Sequence, residues 1–323
     1  RLDTVGGFVA WRYGTTITVV VALWLAMVTT RILRGDEEAG RADLLLSGSI
    51  GPRRLLAEQA IGIGAAAVLV ALASFVGCAA GGLPLTGSAL FAGSVLAGGT
   101  LFASIATVVS QLTRTRRRAL GVTGAILATS YLVRALGDGA PDRRWLTWAS
   151  PLGWVARIAP FGSTHSALAV VLVVVSSLTA GAATVVLRDR RDAGDSALNP
   201  RVGRVRTRRI RSLGGLDAVQ HRGAVAGWAT GMAATGLLFG FIAADIAQFM
   251  ADNPRVGDRT SNLTGSSLAT IKGFLGLSFA VIGVISALYA GAQIVTARRD
   301  EETTTLENLL TAGATRASWL ALR

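Results

Sequence analysis

RGDEEAGRADLLLSG at residues 34–48 returns 264 residues later as RRDEETTTLENLLTA at 298–312, each copy directly after a long apolar run. At that offset Arg34, Asp36, Glu37, Glu38, Leu45 and Leu46 coincide with Arg298, Asp300, Glu301, Glu302, Leu309 and Leu310, while Asp43 becomes Glu307. The period is far longer than a solenoid unit and suits duplication of a whole transmembrane half. The expected fold is all-α: a polytopic transmembrane helical bundle arranged as a tandem parallel repeat of two halves. The second copy stops soon after it starts, so the 323 residues are expected to belong to a longer polypeptide whose second half is incomplete here.

Composition agrees with lipid as the solvent. The chain is 51% hydrophobic and 16% charged, with mean hydropathy +0.51, whereas soluble domains carry about 25% charged residues. The net charge of +13 does not point to nucleic acid, because the basic residues lie between apolar runs instead of gathering on one soluble face. All basic residues but Lys272 are Arg, which together with the excess of Ala and Gly reads as a high-GC bacterial coding bias. The single cysteine, Cys78, sits inside an apolar run; it excludes an intrachain disulfide and reads as a small buried hydrophobe.

A helix needs about 20 mostly apolar residues to cross the hydrocarbon core. Seven intervals meet that need. One lies between Arg12 and Arg31; the charge-free stretch 59–113 holds two more, turning at Gly81-Gly82-Leu83-Pro84; the others run over about 119–137, 166–187, 223–249 and 273–297. Gly227 and Gly231, and Gly236 and Gly240, recur at four-residue spacing, a pattern that suits close helix contacts in lipid. Cytoplasmic loops hold the excess of Arg and Lys. Loops on one side of the expected spans carry twenty-two basic residues, and those on the other carry five. That asymmetry places both acidic segments in the cytoplasm of a bacterial plasma membrane, so the halves are parallel repeats. Residues 1–187 form the first half, 188–217 a basic cytoplasmic linker and interfacial helix, and 218–323 the start of the second half. Within the linker Arg201, Arg204, Arg206, Arg208, Arg209 and Arg211 suit contact with anionic headgroups or plain positive-inside anchoring.

The acidic residues Asp36, Glu37 and Glu38 precede Leu44, Leu45 and Leu46, with breaks at Gly48 and Gly51-Pro52, which predicts a short helix near 36–48. Carboxylates in a first helical turn favour the helix dipole and cap free amides. Two features favour a second role, docking on a cytoplasmic partner: the negative charge opposes the basic character of such loops, and the pattern stands in both halves although the flanking sequence differs.

The stretch DEEAGRADLLLSGSIGPRRLLAEQ resembles the cytoplasmic loop of ABC-2 type exporter permeases, particularly the large two-half permeases of actinobacterial antibiotic and multidrug exporters, in which a D-E-E-x-G-R-x-E-L-L-L-A pattern is typical. Asp43 and Ser47 depart mildly from it, and the second copy has Thr304 and Thr305 in place of the Gly-Arg pair. WASPLGWVARIAPF at 148–161 resembles the S-P-x-G-W stretch of the same group. The resemblance implies six spans per half, and a separate ATP-binding cassette ATPase subunit, expected as a homodimer, that docks on the two acidic segments. On that model the contacts are made by Asp36, Glu37, Glu38, Arg41 and Asp43 near 36–48 and by Asp300, Glu301, Glu302 and Glu307 near 300–312.

The residues agree that work must be borrowed. A phosphate-binding G-x-x-x-x-G-K-[ST] loop is missing, since the sole lysine, Lys272, follows Ile271. Ion-coupled carriers keep ionisable residues in mid-span, yet Arg134, Asp245 and Lys272 all fall near span ends, where they can snorkel. The chain is thus expected to be no enzyme and to hold no cofactor; ATP and Mg2+ are expected in the partner. The expected cargo is a hydrophobic or amphipathic small molecule, a drug or antibiotic, with membrane lipid as the other partner. Two alternatives stand beside this: export of a lipid or cell-wall precursor, and a non-transporting scaffold or sensor that recruits a cytoplasmic protein. The segment 145–161, with three Trp and too short to span, is either a re-entrant gate built on Pro151, Gly153, Trp154 and Pro160 or an interfacial aromatic belt helix. His165 and His221 lack partners at metal spacing, so no metal site is expected.

Overall fold

A computed structural model describes residues 5–139, 141–162, 166–191, 213–252, 270–302, 307, 310, 311 and 315–321. The chain divides into two compact units, 1–201 and 202–323.

The first unit opens with α1, a continuous helix made of Val5–Val9, Thr15–Thr30 and Asp36–Glu38, joined by π turns at Ala10–Gly14 and Arg31–Gly35. Then follow α2 (Arg41–Leu46), α3 (Pro52–Ala80), α4 (Leu85–Leu112) and α5 (Arg116–Asp138). A 3-10 turn at Pro141–Arg143 leads to two short helices, α6 (Leu146–Ala149) and α7 (Pro151–Ala156), and to the long α8 (Ala167–Asp189). The second unit contains α9 (Leu213–Asp252), α10 (Ile271–Glu302) and α11 (Arg316–Ala321). Among the described residues, six stretches are long and apolar enough to cross a membrane: Thr15–Glu38, α3, α4, α5, α8 and Ser278–Val295 within α10. The expected span at 223–249 lies inside α9, which is 40 residues long. The turn expected at 81–84 falls between α3 and α4, where Gly82 takes φ +77.

The centre of the first unit is α4, packed by α1, α3, α5 and α8. Glycines let it come close to α1: a Cβ on Gly98 would stand 2.4 Å from Thr18 Cγ2, and one on Gly99 2.6 Å from Leu25 Cδ1. Small residues at such crossings are how helices gain van der Waals contact where no hydrophobic effect drives them together. Val21, Leu25, Ile63, Ala67, Phe91 and Val95 form one apolar cluster, with Cys78 half-buried against it. Leu101, Val155, Ile158 and Val173 form another, so the α6–α7 segment is packed into the bundle. A hydroxyl pair, Thr107 with Thr184 at 2.8 Å, joins α4 to α8. The opposite faces of α3 and α8 expose Ile61, Val68, Leu69, Leu72, Val171, Val175 and Leu178, as expected where lipid supplies the contact.

In the second unit α9 and α10 pack as a pair, with the Trp228 and Tyr289 rings 5.3 Å apart. Of the expected small-residue positions, a Cβ on Gly236 would reach Ile282 at 3.9 Å, while a Cβ on Gly227, Gly231 or Gly240 would meet nothing within 4 Å among the described residues.

One local expectation is corrected. In place of a single short helix over 36–48, α1 runs on through Glu38; Gly40 at φ +70 then breaks the chain, and α2 is a separate helix of 6 residues. Asp36–Glu38 therefore end a helix instead of starting one, where the dipole repels carboxylates. The helix persists because the charge is compensated from elsewhere.

Candidate functional site

The compensation is a buried clasp around Glu37. Its side chain is 6% exposed, and Arg34, one helical turn back, is 1% exposed. Arg34 Nη1 donates to Glu37 Oε2 at 2.9 Å. Arg188 at the end of α8 donates to Oε1 at 2.5 Å. Arg191, just beyond α8, forks across both oxygens at 3.0 and 2.7 Å, the bidentate geometry that only a guanidinium offers. The same arginines reach α4: Arg34 Nε donates to the Ser110 carbonyl, and Arg191 Nε donates to Gln111 Oε1 at 2.6 Å. One carboxylate thus draws three cations and ties α1, α4 and α8 together at one end of the unit. Burying such a group costs several kcal/mol per ion unless geometry and further hydrogen bonds repay it. Here both carboxylate oxygens are fully engaged.

The neighbouring carboxylates have other tasks. Glu38 accepts from the Arg116 backbone N–H at 2.6 Å, so α1 also holds the first turn of α5. Asp36 faces outward and pairs with Arg41 at 2.5 and 3.1 Å across the Gly40 break, linking α1 to α2. Arg41, Asp43, Leu44 and Leu45 of α2 are exposed, the two leucines at 76% and 47%. Ala42 is the buried residue of that helix. A short helix with two bare leucines beside charged groups is thus held out from a rigid base.

Of the first set of expected contact residues, then, Asp36, Arg41 and Asp43 are brought together on or beside α2, Glu38 is spent on α5, and Glu37 lies inside the bundle. Arg188, Arg191 and Gln111 were missed. As sequence, the two arginines look like ordinary basic residues at the cytoplasmic end of a span, and no spacing connects them to Glu37 across some 150 residues. In the second unit the triplet Asp300–Glu302 also ends a long helix, α10. Glu301 and Glu307 are exposed there. Residues 303–306, 308–309 and 312 of that segment lie outside the described residues, as do His165 and linker residues 192–212.

At the opposite end of the first unit, the candidate gate residues shape the α6–α7 turn. Pro151 opens α7, where Ser150 accepts from Gly153 N–H at 3.3 Å and donates to the Ser130 carbonyl of α5 at 2.6 Å. Gly153 is pressed on the Thr147 carbonyl so closely that a Cβ would lie 1.9 Å from that oxygen. Trp154 Nε1 donates to the Trp148 carbonyl at 2.6 Å, and the Arg157 guanidinium lies over the Trp148 ring at 4.3 Å. Pro160 leads to Phe161, which fills the space left by Gly6 and Gly87.

Helices throughout the described residues, six of them holding stretches able to cross a bilayer, define a polytopic membrane protein. Comparison with known proteins narrows this. Residues 210–322 match the family described as Multidrug efflux system permease Rv1217c, C-terminal domain. Over 99% of its length the chain is 29% identical to the multidrug efflux system permease protein Rv1217c of Mycobacterium tuberculosis, and it spans 58% of that relative. The likeness to exporter permeases read from the acidic segments therefore extends along nearly the whole chain.

Proposed function

We propose that the chain is membrane-spanning permease sequence of an ATP-binding cassette exporter that expels amphipathic drugs or antibiotics, driven by a separate ATPase dimer. The observation that carries this reading is the likeness, over nearly the full chain, to a protein named as a multidrug efflux permease. The clasp supplies a means. Asp36, Arg41, Asp43 and the exposed Leu44 and Leu45 are the surface on which one ATPase subunit seats. Asp300, Glu301, Glu302 and Glu307 serve the other. Glu37 is the positioning residue: a push on α2 passes through the Asp36–Arg41 pair into α1 and from Glu37 to α4 and α8, so that helices move as a body. The permease performs no hydrolysis itself; ATP and Mg2+ belong to the ATPase.

Co-purification of the full-length protein from its own cells tests this. A bound ATPase at two copies per permease, with hydrolysis stimulated by a drug, is the expected result. Replacing Leu44 and Leu45 by Ser should release the ATPase while leaving the membrane part folded. Recovery of a partner without ATPase activity would overturn the exporter reading and favour a scaffold; stimulation by a lipid precursor alone would reassign the cargo.

A further inference from the structure

Far from the clasp, the α6–α7 end of the first unit holds a half-open cavity of about 290 Å3, bordered by Pro160 of the candidate gate. Its wall is mostly apolar or glycine, with Phe91, Leu152 and Phe161 prominent. Thr15, Thr18 and Ser94 add hydroxyls, but Thr18 and Ser94 turn theirs back to helix carbonyls, Gly14 at 2.8 Å and Phe91 at 2.7 Å. The π turn of α1 borders the space through Ala10 and Gly14; such turns shift the helix phase and often mark functional positions. One charged residue lines the cavity, Arg134 of α5. Its Nε donates to Asp138 Oδ2 at 3.2 Å, and this is the one hydrogen bond of its guanidinium among the described residues. Asp138 does not line the cavity and is 57% exposed, whereas Arg134 is 18% exposed. The guanidinium therefore has a solvated carboxylate on one side and a mostly apolar pocket on the other.

A chamber at the small end of ligand pockets, walled by aromatic and aliphatic groups with a lone cation, recognises a particular chemistry. The apolar body gains from burial, and the guanidinium fork takes a planar or tetrahedral anion. A cationic amphiphile would meet like charge at the wall, since no carboxylate is among the described lining residues and Asp138, the partner of Arg134, stands outside them. We propose that this cavity binds amphiphiles with an anionic head, carboxylate or phosphate, on a short apolar body, with Arg134 as the head-group ligand. The assignment depends on neither an ATPase partner nor transport. Its source is either an anionic membrane lipid or a free amphiphilic acid.

The test uses the full-length protein in phosphatidylcholine nanodiscs and two photoreactive probes of equal length, a diazirine decanoate and a diazirine decylamine, with adducts mapped by mass spectrometry. The decanoate should label the cavity wall around Phe91 and Phe161, and the amine should not. Arg134→Gln should lower that labelling at least about ten-fold, the usual loss when a charge-assisted hydrogen bond disappears, and Arg134→Lys should restore part of it. Gly14→Leu, whose added Cβ meets Phe91 only at an ordinary 3.5 Å, should fill the chamber and abolish labelling. Competition by added phosphatidylglycerol would identify a lipid as the ligand, and its failure to compete would identify a free acid. Equal labelling by the amine, or labelling undiminished in Arg134→Gln or in Gly14→Leu, would overturn the proposal.

Discussion

Glu37 and Asp36 are adjacent carboxylates with opposite physical standing. Asp36 is 32% exposed and paired with an arginine in solvent, a contact worth about 0–1 kcal/mol. Glu37 is the single anion among three nearly buried guanidinium groups. Removing one partner of a buried set leaves uncompensated charge and typically costs roughly 3–5 kcal/mol. Glu37→Gln should therefore lower the melting temperature of the detergent-purified protein sharply, and Asp36→Asn should barely move it. Equal effects would show that the clasp is not formed in solution. None of this contrast was legible in D-E-E as a string. Three consecutive carboxylates read as one acidic patch until the fold decides which of them meets Arg188 and Arg191.

At the scale of elements, the apolar intervals announced the long helices because lipid imposes both a length and a composition, and the glycine-proline turn between α3 and α4 carries its own chemistry. The end of α1 was concealed for the opposite reason. Arg31, Arg34 and the acidic triplet look like a loop, since charge normally ends a membrane helix, but buried pairing lets the helix run on to Glu38. What then stops it is one residue, Gly40, at φ +70. A side chain there costs about 1–2 kcal/mol. Gly40→Ala should cost that much in thermal or chemical unfolding, and Gly48→Ala, which has no left-handed backbone to strain, should be silent. The exposed pair Arg53–Asp189, which joins α3 to α8 near the same end, adds little to this frame.

At the scale of the whole molecule, the repeat first seen as matching letters becomes a match of elements: a membrane-length helix closed by an acidic triplet in each unit, Asp36–Glu38 on α1 and Asp300–Glu302 on α10. The clasp also carries a consequence for how the protein is made. Its carboxylate and first arginine leave the ribosome with α1, while Arg188 and Arg191 emerge some 150 residues later, with the last of four more membrane-length helices, α3, α4, α5 and α8. Until then Glu37 lacks two of its three guanidinium partners, and the nascent chain is open to membrane proteases. A chain truncated at residue 187 should be degraded faster in a pulse-chase experiment than one ending at 201, and Glu37→Gln should erase the difference. Assembly order, in this protein, is written into the distance between a glutamate and the arginines it waits for.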